Sequence, residues 1–389
     1  MPTFFLFLFV LLTVGQALQQ GSADNDTIIL TNLEDIFGTG NLDKRRFRQF
    51  LNNLRPKKEA PPPPPVPRHG KISVPLKKDE IEYWYIEVPS HTSREFKFEI
   101  DTYGICSWVP HGIDFFWVGS PESNIHCPGR PFSGFSSFSG HARRSRITIG
   151  TVPWEGYLIS EKGEHSHGIL GWTLSDSTVP EEMHFLPGFL SKFESPIFAM
   201  YLTDLQGEAK LDIGGVDDRI VRIEYHKVVK TGHGHQPWLI GPVRIFVGNA
   251  RIETNTGSVP NIEAAFDSTI LYLRGPPSEV TEIKAKIRAE GTKDRVVYFQ
   301  WGTGNKWSLK PDSSHSGSSD HWSSYENLII PGHPKMVRWE VGTKFWFERY
   351  MIFKAGPVPE VGIAELPPPY ERPPSRDGSF IYPPPQYGH

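Results

Sequence analysis

Between Ile72 and about Leu366 the chain is written in short β-type runs cut by glycine and proline, and that texture restricts it to a fold of many short strands. The runs "YWYIEV", "SRITIG", "AKLDIGG", "VRIFVG", "STILYL" and "RVVYFQW" either alternate or are apolar throughout, as strands covered on one or both faces do. With 36 Gly and 36 Pro in 389 residues, long helices have little room. A proline inside a helix removes a hydrogen bond, and a glycine there adds an entropic cost. Two stretches are expected to be helical, near "EEMHFLPGFLSKF" and "PSEVTEIKAKIRAE". The reading is all-β, and the length favours two successive β lobes over one.

The two ends have a different composition. Residues 1–20 hold an apolar core from Phe4 to Val14 and then small and polar residues, the pattern of a signal peptide. That core is too short for a comfortable membrane span, and no later stretch is a better one. Residues 21–70 are polar and charged and close with "PPPPPVP", a polyproline II spacer; they read as a leader or prosegment. Asn25 heads a glycosylation sequon, Asn25-Asp26-Thr27. Residues 367–389 form a proline-rich tail with two P-P-x-Y matches, read as a spacer or surface-binding tail. A secreted, extracellular or luminal protein is expected, with no membrane anchor. The net charge of -3 gives no electrostatic case for nucleic acid. Cys106 and Cys127 suit an oxidising compartment, where one bridge would close a loop of about 20 residues and contribute roughly 3 kcal/mol; two unpaired thiols are the alternative.

Chemistry enters with "FKFEIDTYGICSWVP", residues 96–110, where an apolar run delivers Asp101 into a tight segment. "AAFDSTILYLRGP", residues 264–276, repeats the arrangement around Asp267. One such pair is an ordinary turn; two, one in each half, are a constellation. On these residues the chain resembles the pepsin-like aspartic peptidases, which carry Asp-Thr-Gly-Ser/Thr in each lobe and often Trp-Val-Pro after the first. Trp108-Val109-Pro110 and Leu273-Arg274-Gly275-Pro276 stand at matching places. "ITIGTVPWEGYLISE" is similar to the family's flap hairpin, and "GILGW" to its Gly-Ile-Leu-Gly-Leu strand. "SPIFAMYL" with "LDIGGVD" resembles the inter-lobe strand and turn, and "WEVGTKFWFERYMIFK" with "VGIAE" the C-terminal segment. The resemblance covers residues 72 to 366.

It implies a bilobal all-β fold with a cleft between a lobe at 71–204 and a lobe at 205–366. It also implies a monomer that binds peptide or protein in that cleft, with no cofactor and no metal. Asp101 and Asp267 would be the catalytic pair, two carboxylates about 3 Å apart that share a proton and activate a water. Thr102 and Ser268 would brace the two loops. Several positions depart from the family pattern. Its third-position glycines are Tyr103 and Thr269, and the hydroxyl residues that follow are Gly104 and Ile270, so both carboxylates are expected to lose supporting donors. The flap tyrosine is Ile149, before a tip at Gly150-Thr151, and the acid of the C-terminal motif is Thr343. These departures imply a secreted homologue that is weakly active or inactive and binds peptide or protein in the cleft. The alternative is an active endopeptidase working at acidic pH. Zinc at His165/His167 or His233/His235 lacks a carboxylate or cysteine at supporting spacing, and nothing in the core requires an assembly role for the proline-rich ends. Arg143-Arg144-Ser145-Arg146 is expected to be a solvated loop.

Overall fold

The computed structural model describes residues 68–80, 82–89, 95–110, 117, 123–127, 138–161, 167–176, 179–203, 208–220, 222–231, 235–252, 262–289, 296–309, 327–347 and 349–365, with backbone only at 123–127, 138, 139, 161, 175, 176 and 235. All of them belong to the compact unit that begins at Pro67. The chain is all-β with few helices, in two lobes, as the resemblance implies.

A six-stranded antiparallel sheet joins the lobes. Its spatial order is Ile72–Pro75, Lys210–Ile213, Ile197–Tyr201, Arg349–Lys354, Glu360–Glu365 and Glu224–Lys227. The strands come from the beginning, middle and end of the unit, so neither half of the sequence completes the sheet alone. One face carries aromatic rings that both lobes bury. Phe198 stacks on Phe353 at 4.7 Å, Trp172 meets Phe198 edge-on at 4.7 Å, and Trp238 meets Phe353 at 5.2 Å. The Trp238 indole N–H also donates to the Trp172 carbonyl at 2.7 Å, so the rings are fixed by direction as well as by area. On the other face the Tyr350 hydroxyl donates to Asp212 Oδ2 at 2.5 Å and accepts the Asp217 N–H at 2.9 Å. The Arg219 guanidinium and Lys210 hold the Asp217 carboxyl well below the usual carboxylate range.

The N-terminal lobe is an eight-stranded sheet in the order Lys77–Lys78, Trp84–Pro89, Glu95–Asp101, Gly168–Gly171, Trp108–Pro110, Val152–Glu161, Phe138–Ile149 and Ser123–Cys127. The C-terminal lobe has a five-stranded sheet of Leu239–Ile240, Ala264–Phe266, Trp339–Val341, Leu273–Gly275 and Ile329–Pro331. Beside it lies a four-stranded sheet of Ala250–Arg251, Val243–Val247, Val297–Trp301 and Lys306–Ser308. The helix Pro277–Ala289 packs on this lobe through Val280, Ile283 and Ile287, spaced as one helical face. The other expected helical stretch is a 3-10 turn, Glu181–Met183, followed by the helix Phe185–Leu190.

Two expectations fail for identifiable reasons. "STILYL" is not a strand: Ser268–Tyr272 form a loop, and the strand begins only at Leu273, because the chain must here cross from one side of the strand Trp339–Val341 to the other. Arg143–Arg146 are not a loop but the middle of the long strand Phe138–Ile149. Arg144 and Arg146 both reach the cross-strand Glu155, at 2.8 and 3.0 Å.

Candidate active site

Each lobe contains the same crossing. In the first, Glu95–Asp101 runs parallel to Gly168–Gly171 with Asp101 opposite Gly171, and Trp108 returns antiparallel opposite Ile169. In the second, Ala264–Phe266 runs parallel to Trp339–Val341 with Phe266 opposite Val341, and Leu273 returns antiparallel opposite Val341. Both aspartates therefore stand where a strand ends and the chain crosses its neighbour. The crossing leaves no space for a side chain beneath it. A Cβ at Gly171 would lie 2.7 Å from the Ile105 carbonyl oxygen, and one at Gly342 would lie 2.3 Å from that of Tyr272.

The two crossings are tied together by a reciprocal set of hydrogen bonds. The Thr102 N–H donates to Ser268 Oγ and the Ser268 N–H to Thr102 Oγ1, both at 3.0 Å. The Thr102 hydroxyl then donates to the Phe266 carbonyl at 3.0 Å, and the Ser268 hydroxyl to the Ile100 carbonyl at 2.5 Å. Thr102 is fully buried and Ser268 2% exposed, so no water competes for these groups. Asp101 and Asp267 are 4% and 0% exposed and sit one residue before this junction.

The carboxylates keep donors, contrary to the expectation drawn from Tyr103, Thr269, Gly104 and Ile270. Asp101 Oδ1 accepts the Tyr103 N–H at 3.0 Å and the Gly104 N–H at 2.6 Å. Asp267 Oδ1 accepts the Thr269 N–H at 2.9 Å and the Thr269 hydroxyl at 2.7 Å. The turn supplies backbone donors whatever the side chains are, and at Asp267 the hydroxyl comes from one position earlier than in the family motif. Gly104 has its own reason: a Cβ there would fall 2.1 Å from Asp101 Oδ2. Tyr103, 2% exposed, packs with Leu239 and Ala265 of the other lobe. Thr343 opens the short helix Thr343–Trp346, and its N–H donates to the Ile270 carbonyl at 2.8 Å, holding the Asp267 loop from behind.

The hairpin read as a flap is differently placed. Phe138–Ile149 and Val152–Glu161 do form a hairpin with its turn at Gly150-Thr151. Ile149 and Val152, however, are fully buried in the main core, and Gly150 approaches Ile72 and Val74 on the edge strand of the six-stranded sheet. The Ile149 side chain is packed in the core, and the exposed residues of the tip are Gly150 and Thr151. The sequence places a glycine turn between two β runs, and that local pattern is the same over a core as over a cleft.

Cys106 is buried, and Cys127 ends the strand Ser123–Cys127. His167 Nε2 lies 3.5 Å from Glu99 Oε2; His165, His233 and Asn25 fall outside the described residues. Among the described residues no group of three or more His, Cys, Asp and Glu is arranged to hold a metal ion, and no helix is long and apolar enough to cross a membrane. Sequence reasoning passed over Glu99. Alternation was the available signal: in "FKFEID" the phenylalanines and Ile100 enter the core, which puts Lys97, Glu99 and Asp101 on the other face.

A family model described as eukaryotic aspartyl protease matches residues 136–358, more than half of the chain. The matched range includes the Asp267 crossing and the strand Gly168–Gly171, and Asp101 precedes it. No curated protein matches the chain.

Proposed function

Because the chain belongs to the eukaryotic aspartyl protease family, we propose that it is a secreted peptide- or protein-binding member in which Asp101 and Asp267 form a carboxylate pair of weak or no hydrolytic power. The observation that carries this reading is the reciprocal Thr102–Ser268 junction, which ties together the two loops that bear the acids. Two buried acids held close share one proton, because both cannot ionise side by side. One then accepts a proton from an attacking water while the other protonates the substrate carbonyl. Weakness is supported by Gly104 and Ile270, which offer no side-chain donor where the family uses serine or threonine.

The same proposal includes residues 1–20 as a signal peptide, 21–70 as a leader and a glycan at Asn25. It also includes a Cys106–Cys127 bridge, which suits the lack of free cysteines among the described residues. Pepsin-like proteases are typically secreted or lysosomal, which agrees with the apolar start of the chain. A second reading, a fully competent acid endopeptidase, is favoured by the Thr269 hydroxyl on Asp267.

Hydrolysis of an unfolded protein between about pH 3 and 7, with and without a pepstatin-type inhibitor, separates the two. Either no cleavage, or slow cleavage that the inhibitor blocks and that disappears in Asp101→Ala and Asp267→Ala, is expected. Rapid cleavage would establish the second reading, and cleavage that survives both substitutions would exclude either.

A further inference from the structure

Glu99 lies on the face of its strand that also carries Asp101, two residues and so about 7 Å before it. Above it opens a cavity of about 470 Å³. Glu99, 4% exposed, and His167 form its floor, Tyr83 and Tyr85 its walls, and Lys78 and Lys97 stand at its rim with Asp79 and Glu80. That is the size of a small-ligand pocket, ample for one long side chain and the backbone on either side.

We infer that this cavity takes the side chain of a lysine or arginine from a peptide held at Asp101. The inference rests on the proposed peptide-binding function and adds the class of residue recognised. Burial keeps the Glu99 carboxylate in a low-dielectric setting, where its attraction for a cation is little screened. The methylene stem of a lysine or arginine would cover the faces of Tyr83 and Tyr85, which also favour the cation itself. Tyr85 already accepts one cation in this manner: the Lys97 ammonium lies 4.6 Å from its ring centroid. The rim charges oppose each other, Lys78 and Lys97 against Asp79 and Glu80, so the carboxylate on the floor decides the sign. An acidic side chain would meet Glu99 at the bottom and Glu80 at the mouth. An aliphatic one would bury a carboxylate and two phenol rings without replacing the water they lose.

The test uses the full chain at pH 7.5 and three fluorescent octapeptide pools. Each pool is random except for one fixed central residue, lysine, leucine or glutamate, and binding is followed by fluorescence anisotropy. The lysine pool is expected to bind about tenfold more tightly than the leucine pool, and the glutamate pool least. Glu99→Gln should reduce the lysine preference to within about twofold while the melting temperature shows a folded protein. Lys97→Glu, a change at the exposed rim, should increase it and remains informative if the first variant does not fold. Equal binding of the lysine and leucine pools, a preference that survives Glu99→Gln, or no response to Lys97→Glu would overturn the inference while leaving peptide binding intact. Failure of all three pools to bind would remove the peptide-binding proposal and this inference with it.

Discussion

The two crossings use one backbone plan and two local chemistries. Each delivers an aspartate at the end of a strand, passes over a glycine at the end of the middle strand, Gly171, or just after it, Gly342, and offers a hydroxyl residue to the other loop. Around the carboxylates they part. Asp101 is held by the successive N–H groups of Tyr103 and Gly104, and the turn is so close that position 104 has no space for a Cβ. Asp267 is held by both the N–H and the hydroxyl of Thr269, and the next position carries a buried isoleucine. What is common to the two is what joins the lobes. What differs is confined to each loop, where one turn of backbone can be stabilised in more than one way.

The junction should be the most sensitive part. Thr102→Val removes the acceptor of the Ser268 N–H and the donor to the Phe266 carbonyl, leaving two buried backbone groups unpaired at a cost of about 2–5 kcal/mol. Ser268→Ala should cost a similar amount in chemical denaturation, and a much smaller loss in either variant would break the equivalence of the two sides. Gly104→Ala comes next. The new methyl must displace the Asp101 carboxylate, lowering stability by about 1–3 kcal/mol and abolishing inhibitor binding.

Glu279 gives the second crossing a pH dependence. It is 1% exposed and accepts the Trp339 indole N–H at 2.9 Å, and burial pushes its carboxyl up to about 6 from the ordinary 4.5. A raised value means that its stabilising contribution is complete below about pH 4.5 and lost as the pH rises through about 6. Glu279→Gln should therefore raise stability by about 2 kcal/mol at pH 7.5 and leave it unchanged below pH 4.5, as thermal melts at the two pH values would read. The smallest effect is expected from Thr269→Val. It removes one hydrogen bond to Asp267 for about 1–2 kcal/mol and should leave the Asp101 side untouched in a crystal structure.

Much of the plan was legible because the sequence repeats it. An apolar strand, an aspartate, a hydroxyl residue and a return strand occur twice, and the hydroxyls Thr102 and Ser268 stand at the same place in both. The lost information concerns depth and direction. The run "STILYL" has the β-prone residues of a strand, yet the crossing over Gly342 requires a loop there, and topology overrides propensity. Ile149 is assigned to a flap by the resemblance of its hairpin, whereas it is fully buried in a core that also contains Val74 of the edge strand Ile72–Pro75, far away in sequence. The donors to the carboxylates were undervalued for a related reason. Side-chain types are visible in a sequence, but backbone N–H groups aimed by a turn are not.

The central claim is that two chemically different loops make one carboxylate pair, and binding of a pepstatin-type inhibitor tests it most directly. Calorimetry should show binding to the unmodified chain and its loss to the same extent in Asp101→Asn and Asp267→Asn, with folding intact in both. Undiminished binding in either variant would mean that the loops, although joined through Thr102 and Ser268, do not act on a ligand together.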